Sequence, residues 1–193
     1  WPWSIVAHAI GDLAIREVLD VLESTDPERD RHRIEHVELL DDDLLDRFAA
    51  SGAIASVQPN FLKWATEGGL YDDRLGRNRR MQSNRFGAMA EAGIPLAFGS
   101  DCMPMDPLFG IHQVVNAPTE AQRLSVTEAL RAYTLGSAAA SFDERRLGTL
   151  EPGKNADFVV LAESPWDNPA AIEDISVSMT VVDGEVVHDA RPA

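Results

Sequence analysis

At 193 residues the chain can bury one good core with little left for a second, and its 45% hydrophobic content marks it as globular. A net charge of −15, from 32 acidic against 17 basic residues, argues against nucleic-acid binding, because phosphates would be repelled. The single cysteine, Cys102, excludes an intrachain disulfide and any Cys-x-x-Cys metal site.

No apolar run reaches membrane-spanning length and no signal peptide opens the chain, so no membrane partner and a cytoplasmic location are expected. The opening Trp1-Pro2-Trp3, without Met, suggests a piece of something longer. Among the basic residues only Lys63 and Lys154 are lysines. The charge fits a halophilic source or an ordinary acidic cytosolic protein equally.

Ser4 to Ala9 reads as a short strand, and Asp12 opens a helix whose Ile15, Val18, Leu19 and Leu22 form one apolar stripe. Arg33 to Leu40 reads as a second strand. Asp41-Asp42-Asp43 then places acid at the positive end of a helix that buries Leu44, Leu45 and Phe48 and stops at Gly52. Ala53 to Val57 is a third strand, stopped by Gln58-Pro59. Asn60 to Arg80 is polar and Gly-containing, a candidate active-site loop.

A helix with Phe86, Met89 and Ala90 inward ends at Gly93, and Ile94 to Phe98 is the fourth strand. An irregular stretch runs on to Leu124. Ser125 and Glu128 form a capping box opening a helix to about Ala140. Ala156 to Ala162 and Ser178 to Val187 are then β-rich without a long helix between them, and Asp183-Gly184 is a hairpin turn signal. Four βα units over residues 4–140 amount to about half of an eight-unit barrel of roughly 250 residues.

Three segments place metal-competent side chains at strand ends: Val6 to Asp12 with His8, Arg33 to His36, and Phe98 to Asp101. In a parallel α/β protein, strand ends of one polarity converge on one surface. From spacing alone, two hydrogen-bonded core histidines and a turn or capping aspartate are the favoured readings of these residues.

The stretches His8–Asp12, Arg31–His36, Ser56–Pro59, Phe98–Asp101, Glu128–Thr134 and Gly148–Leu161 stand in an order that resembles the C-terminal half of the amidohydrolase superfamily. More narrowly the chain is similar to the amidohydrolase-3 or YtcJ-like branch, which includes N-substituted formamide deformylases and members labelled exoenzyme regulatory proteins. The resemblance implies an α/β fold: the C-terminal half of a metal-dependent (β/α)8 TIM barrel, strands 5–8, over residues 1–147, and part of a small β-sandwich over 148–193.

It also implies roles. His8 and His36 would be the strand-5 and strand-6 metal ligands and Asp101 the strand-8 aspartate, while the strand-1 His-x-His pair and the strand-4 Lys or Glu would lie upstream. Neutral imidazoles suit Zn²⁺ or a similar divalent ion, with one or two ions in the parent protein. Such an ion polarises an amide carbonyl and lowers the pKa of bound water. Asp101 would hold the attacking water, accept its proton and pass it to the leaving amine.

Gln58, at a strand end, and Arg74 and Trp64, on the long loop, are candidate substrate residues. Arg79 and Arg80 could serve an anionic group as Arg74 could, though surface charge is the safer reading of all three. Tyr71 either lines a pocket or covers the loop's own core. Cys102 is a site wall or a small core residue. Strand alternation turns Glu35 outward if His36 faces inward, and leaves His32 at the barrel floor as a packing or hydrogen-bonding residue. Asp12 caps its helix or supports His8. His112 and His188 are incidental, and Asp157 belongs to a turn.

The expected function is hydrolysis of amide or N-formyl C–N bonds in small molecules. A catalytically silent regulatory protein on the same barrel is the alternative, and ring deamination uses the same metal logic. Half a barrel leaves open sheet edges, so the chain is expected to pair as a homodimer or with the missing N-terminal half, and to be inactive alone.

Overall fold

The structure is a computed structural model that describes residues 4–26, 30–101 and 104–191. Trp1-Pro2-Trp3 and Cys102 lie outside the described residues, so the sequence readings that fall on them have no structural counterpart.

Four short strands, β1 (Val6–Ala9), β2 (Arg33–His36), β3 (Ile54–Val57) and β4 (Leu96–Phe98), pair in parallel in chain order. Parallel neighbours need a crossover, and helices supply it: α1 (Asp12–Leu22) and α2 (Asp42–Ser51) first, then α3 (Leu70–Met81) and α4 (Phe86–Glu91) together between β3 and β4. A sheet whose strand order is its chain order is a sector of a barrel rather than a doubly wound sheet.

Local chemistry explains the boundaries. The Asp41 side chain accepts from the Leu44 N–H at 2.8 Å and caps α2, and Gly52 closes that helix at φ 65°. The apolar stripe of α1 buries Ile15, Leu19 and Leu22, as its periodicity predicts. Between strands and helices lie Ile34, Val37, Phe48, Phe86 and Met89, all fully buried.

After β4 come α5 (Pro107–Val115) and α6 (Val126–Arg131), which runs on through a π-helical turn, Ala132–Gly136, into α7 (Ser137–Ala140). The Ser125–Glu128 capping box is formed in full. Gly136 is where this helix touches the sheet: a Cβ there would meet the Leu96 carbonyl oxygen at 2.0 Å. Strands β5 (Phe158–Leu161), β6 (Val177–Val182) and β7 (Glu185–Asp189) then form an antiparallel sheet, mostly exposed. Between β5 and β6 a 3₁₀ turn, Pro169–Asp174, packs on α5 and sends Ile172 into the main core.

Three expectations need correction. The second strand does not run to Leu40; it stops at His36, because His36 and Val37 take left-handed backbone at φ 74° and 50°. Residues 60–80 are not an irregular loop but a 3₁₀ turn, Pro59–Trp64, and α3. Helix α3 is polar on nearly every side and kinked at Gly76 (φ 74°), so it carries no apolar periodicity to betray it. The stretch before Leu124 contains α5, whose start is signalled by Asp106 capping and Pro107 at the first helical position. Among the described residues no helix is long and apolar enough to cross a membrane.

Candidate metal centre

The C-terminal ends of the four parallel strands lie on one side of the sheet, and the candidate residues sit there. The register pairs His8 with Glu35 and Ala9 with His36. Residues aligned across a sheet share a face, so regular alternation would send His36 to the side of the fully buried Ala9, away from His8. The left-handed backbone at His36 breaks that alternation and swings the ring back. The two imidazoles meet edge to face, with centroids 4.4 Å apart.

The same register corrects the reading of Glu35, which shares the face of His8 instead of turning toward the helices. There it accepts a hydrogen bond from Arg33 Nε at 2.8 Å. His32, near the opposite end of the strand, is buried and accepts from the Ile5 N–H at 3.0 Å, the hydrogen-bonding role its position predicts.

Asp101 follows β4 with left-handed backbone of its own, φ 43°. Its Oδ2 lies 3.9 Å from His36 Nδ1, and its side chain is half exposed. Gln58, buried at the end of β3, places Oε1 2.8 Å from the same Nδ1. The structure therefore gathers His8, His36, Asp101 and Gln58 from four consecutive strand ends.

Trp64 stands further off. Phe61 lies parallel to the His36 ring at 6.3 Å, Trp64 packs on Phe61 at 4.7 Å, and Tyr71 follows Trp64 at 6.4 Å. Arg74 is exposed on α3, and among the described residues no hydrogen bond or ion pair ties it to the cluster. Arg79 is engaged with Asp12, and Arg80 is buried against Asp72 and the Ala65 carbonyl.

Two buried polar residues in this region escape a sequence reading. Glu38, two residues beyond His36, accepts a hydrogen bond from the Tyr71 hydroxyl. Burial pushes its carboxyl above the usual carboxylate range, opposed by that hydrogen bond and by the nearby His36 and His8. Burial and the Glu38 charge likewise raise the Tyr71 phenol. An acid inside the apolar run Val37–Leu40 was the available signal.

Asn60 is fully buried; its amide donates to the Pro104 carbonyl at 2.8 Å and accepts from the Tyr133 hydroxyl at 2.9 Å. It thereby fastens the segment just beyond Asp101 to the end of β3. A polar residue directly after Gln58-Pro59 was its only mark in the sequence.

Among the described residues no three of His, Cys, Asp and Glu stand at ligand spacing. The donor chemistry nonetheless suits a borderline divalent ion, since two imidazoles touch at adjacent strand ends with a carboxylate beside one of them.

The profile of the Amidohydrolase family matches residues 2–188. YtcJ of Bacillus subtilis (strain 168) is 35% identical over 199 aligned residues, covering 96% of this chain and 37% of that protein. Protein LONG AFTER FAR-RED 3 of Arabidopsis thaliana is also 35% identical, covering 95% of this chain and 34% of its own length. Among solved structures, an uncharacterized metal-dependent hydrolase from Pyrococcus furiosus superposes with a TM-score of 0.73 at 32% identity, covering 84% of this chain and 34% of that one. A second uncharacterized metal-dependent hydrolase, from Pyrococcus horikoshii OT3, gives 0.73 at 30% identity over 96% of this chain and 36% of that one. The chain thus spans about a third of the length of the relatives it matches.

Proposed function

Because the chain belongs to the amidohydrolase family, we propose that His8, His36 and Asp101 contribute to the divalent-metal site of a hydrolase that cleaves C–N bonds, amide or N-formyl, in small molecules. What supports this above all is the edge-to-face contact of His8 and His36, made with left-handed backbone at His36. Zinc is the ion proposed, on the ground that paired neutral imidazoles favour it. When bound, it supplies a Lewis acid for the substrate carbonyl and lowers the pKa of water.

The side chains divide the remaining work. Asp101, half exposed beside His36, takes the proton of the attacking water and delivers it to the departing nitrogen. Phe61 and Trp64 form an apolar wall next to His36 against which the non-reacting part of the substrate rests. Arg74, exposed on the neighbouring helix, is placed to meet an anionic substrate group.

The active molecule is a complete barrel. Residues 1–147 supply one half of it and 148–193 part of a β-sandwich, and the other half comes from an N-terminal segment or a second copy. The chain alone is inactive, and the protein works in the cytoplasm.

The test is turnover in the full-length protein on N-formyl and N-acyl amines and, for contrast, on an Xaa-Pro dipeptide. His8→Ala, His36→Ala and Asp101→Ala are each expected to lower kcat/KM by about 10²–10⁴-fold. Undiminished turnover in all three variants would overturn the assignment. Cleavage of the dipeptide alone would move the bond class to peptides.

A further inference from the structure

The structure assigns Gln58 a function beyond substrate contact: we propose that it is a positioning residue, which holds the proton of His36 on Nδ1 and leaves Nε2 as the ring's only free lone pair. This rests on His36 being a metal ligand, but its evidence is separate.

His36 and Gln58 are both buried, and they meet at 2.8 Å between Nδ1 and Oε1. An imidazole nitrogen facing a carboxamide oxygen at that distance must carry the hydrogen, since two lone pairs would otherwise collide. The orientation of the amide is fixed from its other end. Gln58 Nε2 faces the Ser56 carbonyl at 3.5 Å; reversing the amide would turn its oxygen onto that carbonyl. The Asp101 carboxylate, 3.9 Å from the same Nδ1, adds a negative charge that favours a proton there. Two acceptors therefore converge on one ring nitrogen, and in neutral imidazole the other nitrogen is then the acceptor or ligand.

The backbone makes this geometry possible. The left-handed turn at His36 carries the ring off the buried face, and Pro59, directly after Gln58, opens a 3₁₀ turn that holds the end of β3. Gln58 and His36 come from neighbouring strands, so pairing of β2 with β3 sets their separation. A hydrogen-bonded partner on the non-ligating nitrogen fixes ring orientation and raises ligand basicity, and its loss typically costs 10–100-fold in metal affinity.

The test uses the full-length protein labelled with ¹⁵N-histidine, in which the long-range ¹H–¹⁵N correlations of His36 are assigned by their loss in His36→Asn. In metal-free protein above the imidazole titration range, His36 is expected as the Nδ1–H tautomer. Gln58→Glu, which keeps an acceptor, is expected to retain it. Gln58→Leu is expected to shift it toward Nε2–H and to weaken binding of Zn²⁺ or Co²⁺ by about 10–100-fold.

An Nε2–H tautomer in the wild type overturns the proposal, as does an unchanged tautomer in Gln58→Leu, which would leave Asp101 as the holder. Metal binding that ignores Gln58 also overturns it, without touching the metal site. The expected tautomers in a protein that binds neither ion would uphold the role of Gln58 and sink the metal reading. The wild-type spectrum decides the tautomer even if Gln58→Leu fails to fold.

Discussion

The two sheets of this molecule both contain non-glycine residues with left-handed backbone, for different reasons. In the antiparallel sheet it is Asp183, at φ 50° beside Gly184 at 79°, between β6 and β7. That pair reverses the chain, as a two-residue hairpin requires, and the Asp157 carboxylate accepts from the Asp183 N–H at 2.6 Å. In the parallel sheet His36, Val37 and Asp101 adopt it where no hairpin is made. Val37 is β-branched and fully buried, and left-handed backbone there costs roughly 1–2 kcal/mol. That cost goes with turning the chain out of β2 directly after His36. Strain at a hairpin is ordinary, whereas strain gathered at the ends of strands that share one surface points to a candidate site.

The contrast extends to burial and can be broken there first. Phe48 is fully buried behind the parallel sheet, and Val186 is 57% exposed on β7. Phe48→Ala should cost about 3–5 kcal/mol in denaturant unfolding, and Val186→Ala no more than about 0.5. Equal costs would mean that the antiparallel sheet is as deeply packed as the core.

Glycines sharpen the comparison further. Gly136→Ala forces a Cβ onto the Leu96 carbonyl at the start of β4 and should cost about 1–3 kcal/mol in thermal or denaturant unfolding. Gly184 faces open space, so its constraint is its φ alone. Gly184→Asn should therefore be tolerated, because Asn accepts left-handed backbone, whereas Gly136→Asn should be worse than Gly136→Ala. Tolerance of Asn at both positions would remove the distinction.

The smallest effect belongs to the capping box. Ser125→Ala should cost about 1 kcal/mol at neutral pH. The hydrogen bonds from the Ser125 side chain and backbone hold the Glu128 carboxyl below its ordinary range. Its contribution is therefore present above that range and is lost as pH falls through the lowered folded value. The Tm gap between wild type and variant should shrink in acid; a gap independent of pH would detach Glu128 from the cap.

Much of the fold was legible because periodicity and caps are local. The stripe of α1, the acidic start of α2, the Ser125 cap, Gly52 and the Asp183-Gly184 hairpin all declare themselves within a few residues. The π-helical turn, and α3 with its kink at Gly76, did not, since neither carries an apolar rhythm. At the site, motif order pointed to His8, His36 and Asp101; the structure sets His8 against His36 and Asp101 3.9 Å from His36. Alternation misled for Glu35, because it assumes a regular strand through His36. Glu38 and Asn60 were missed because their partners, Tyr71 and Tyr133, lie far along the chain and meet them only in the folded molecule.

The central claim is that the left-handed turn at His36 brings His8 and His36 to one ion. Equilibrium dialysis of the full-length protein against Zn²⁺ tests it most directly. The account predicts stoichiometric binding in the wild type, weakened at least about tenfold by His8→Ala and by His36→Ala alike. Zinc binding unaltered in both variants would contradict it.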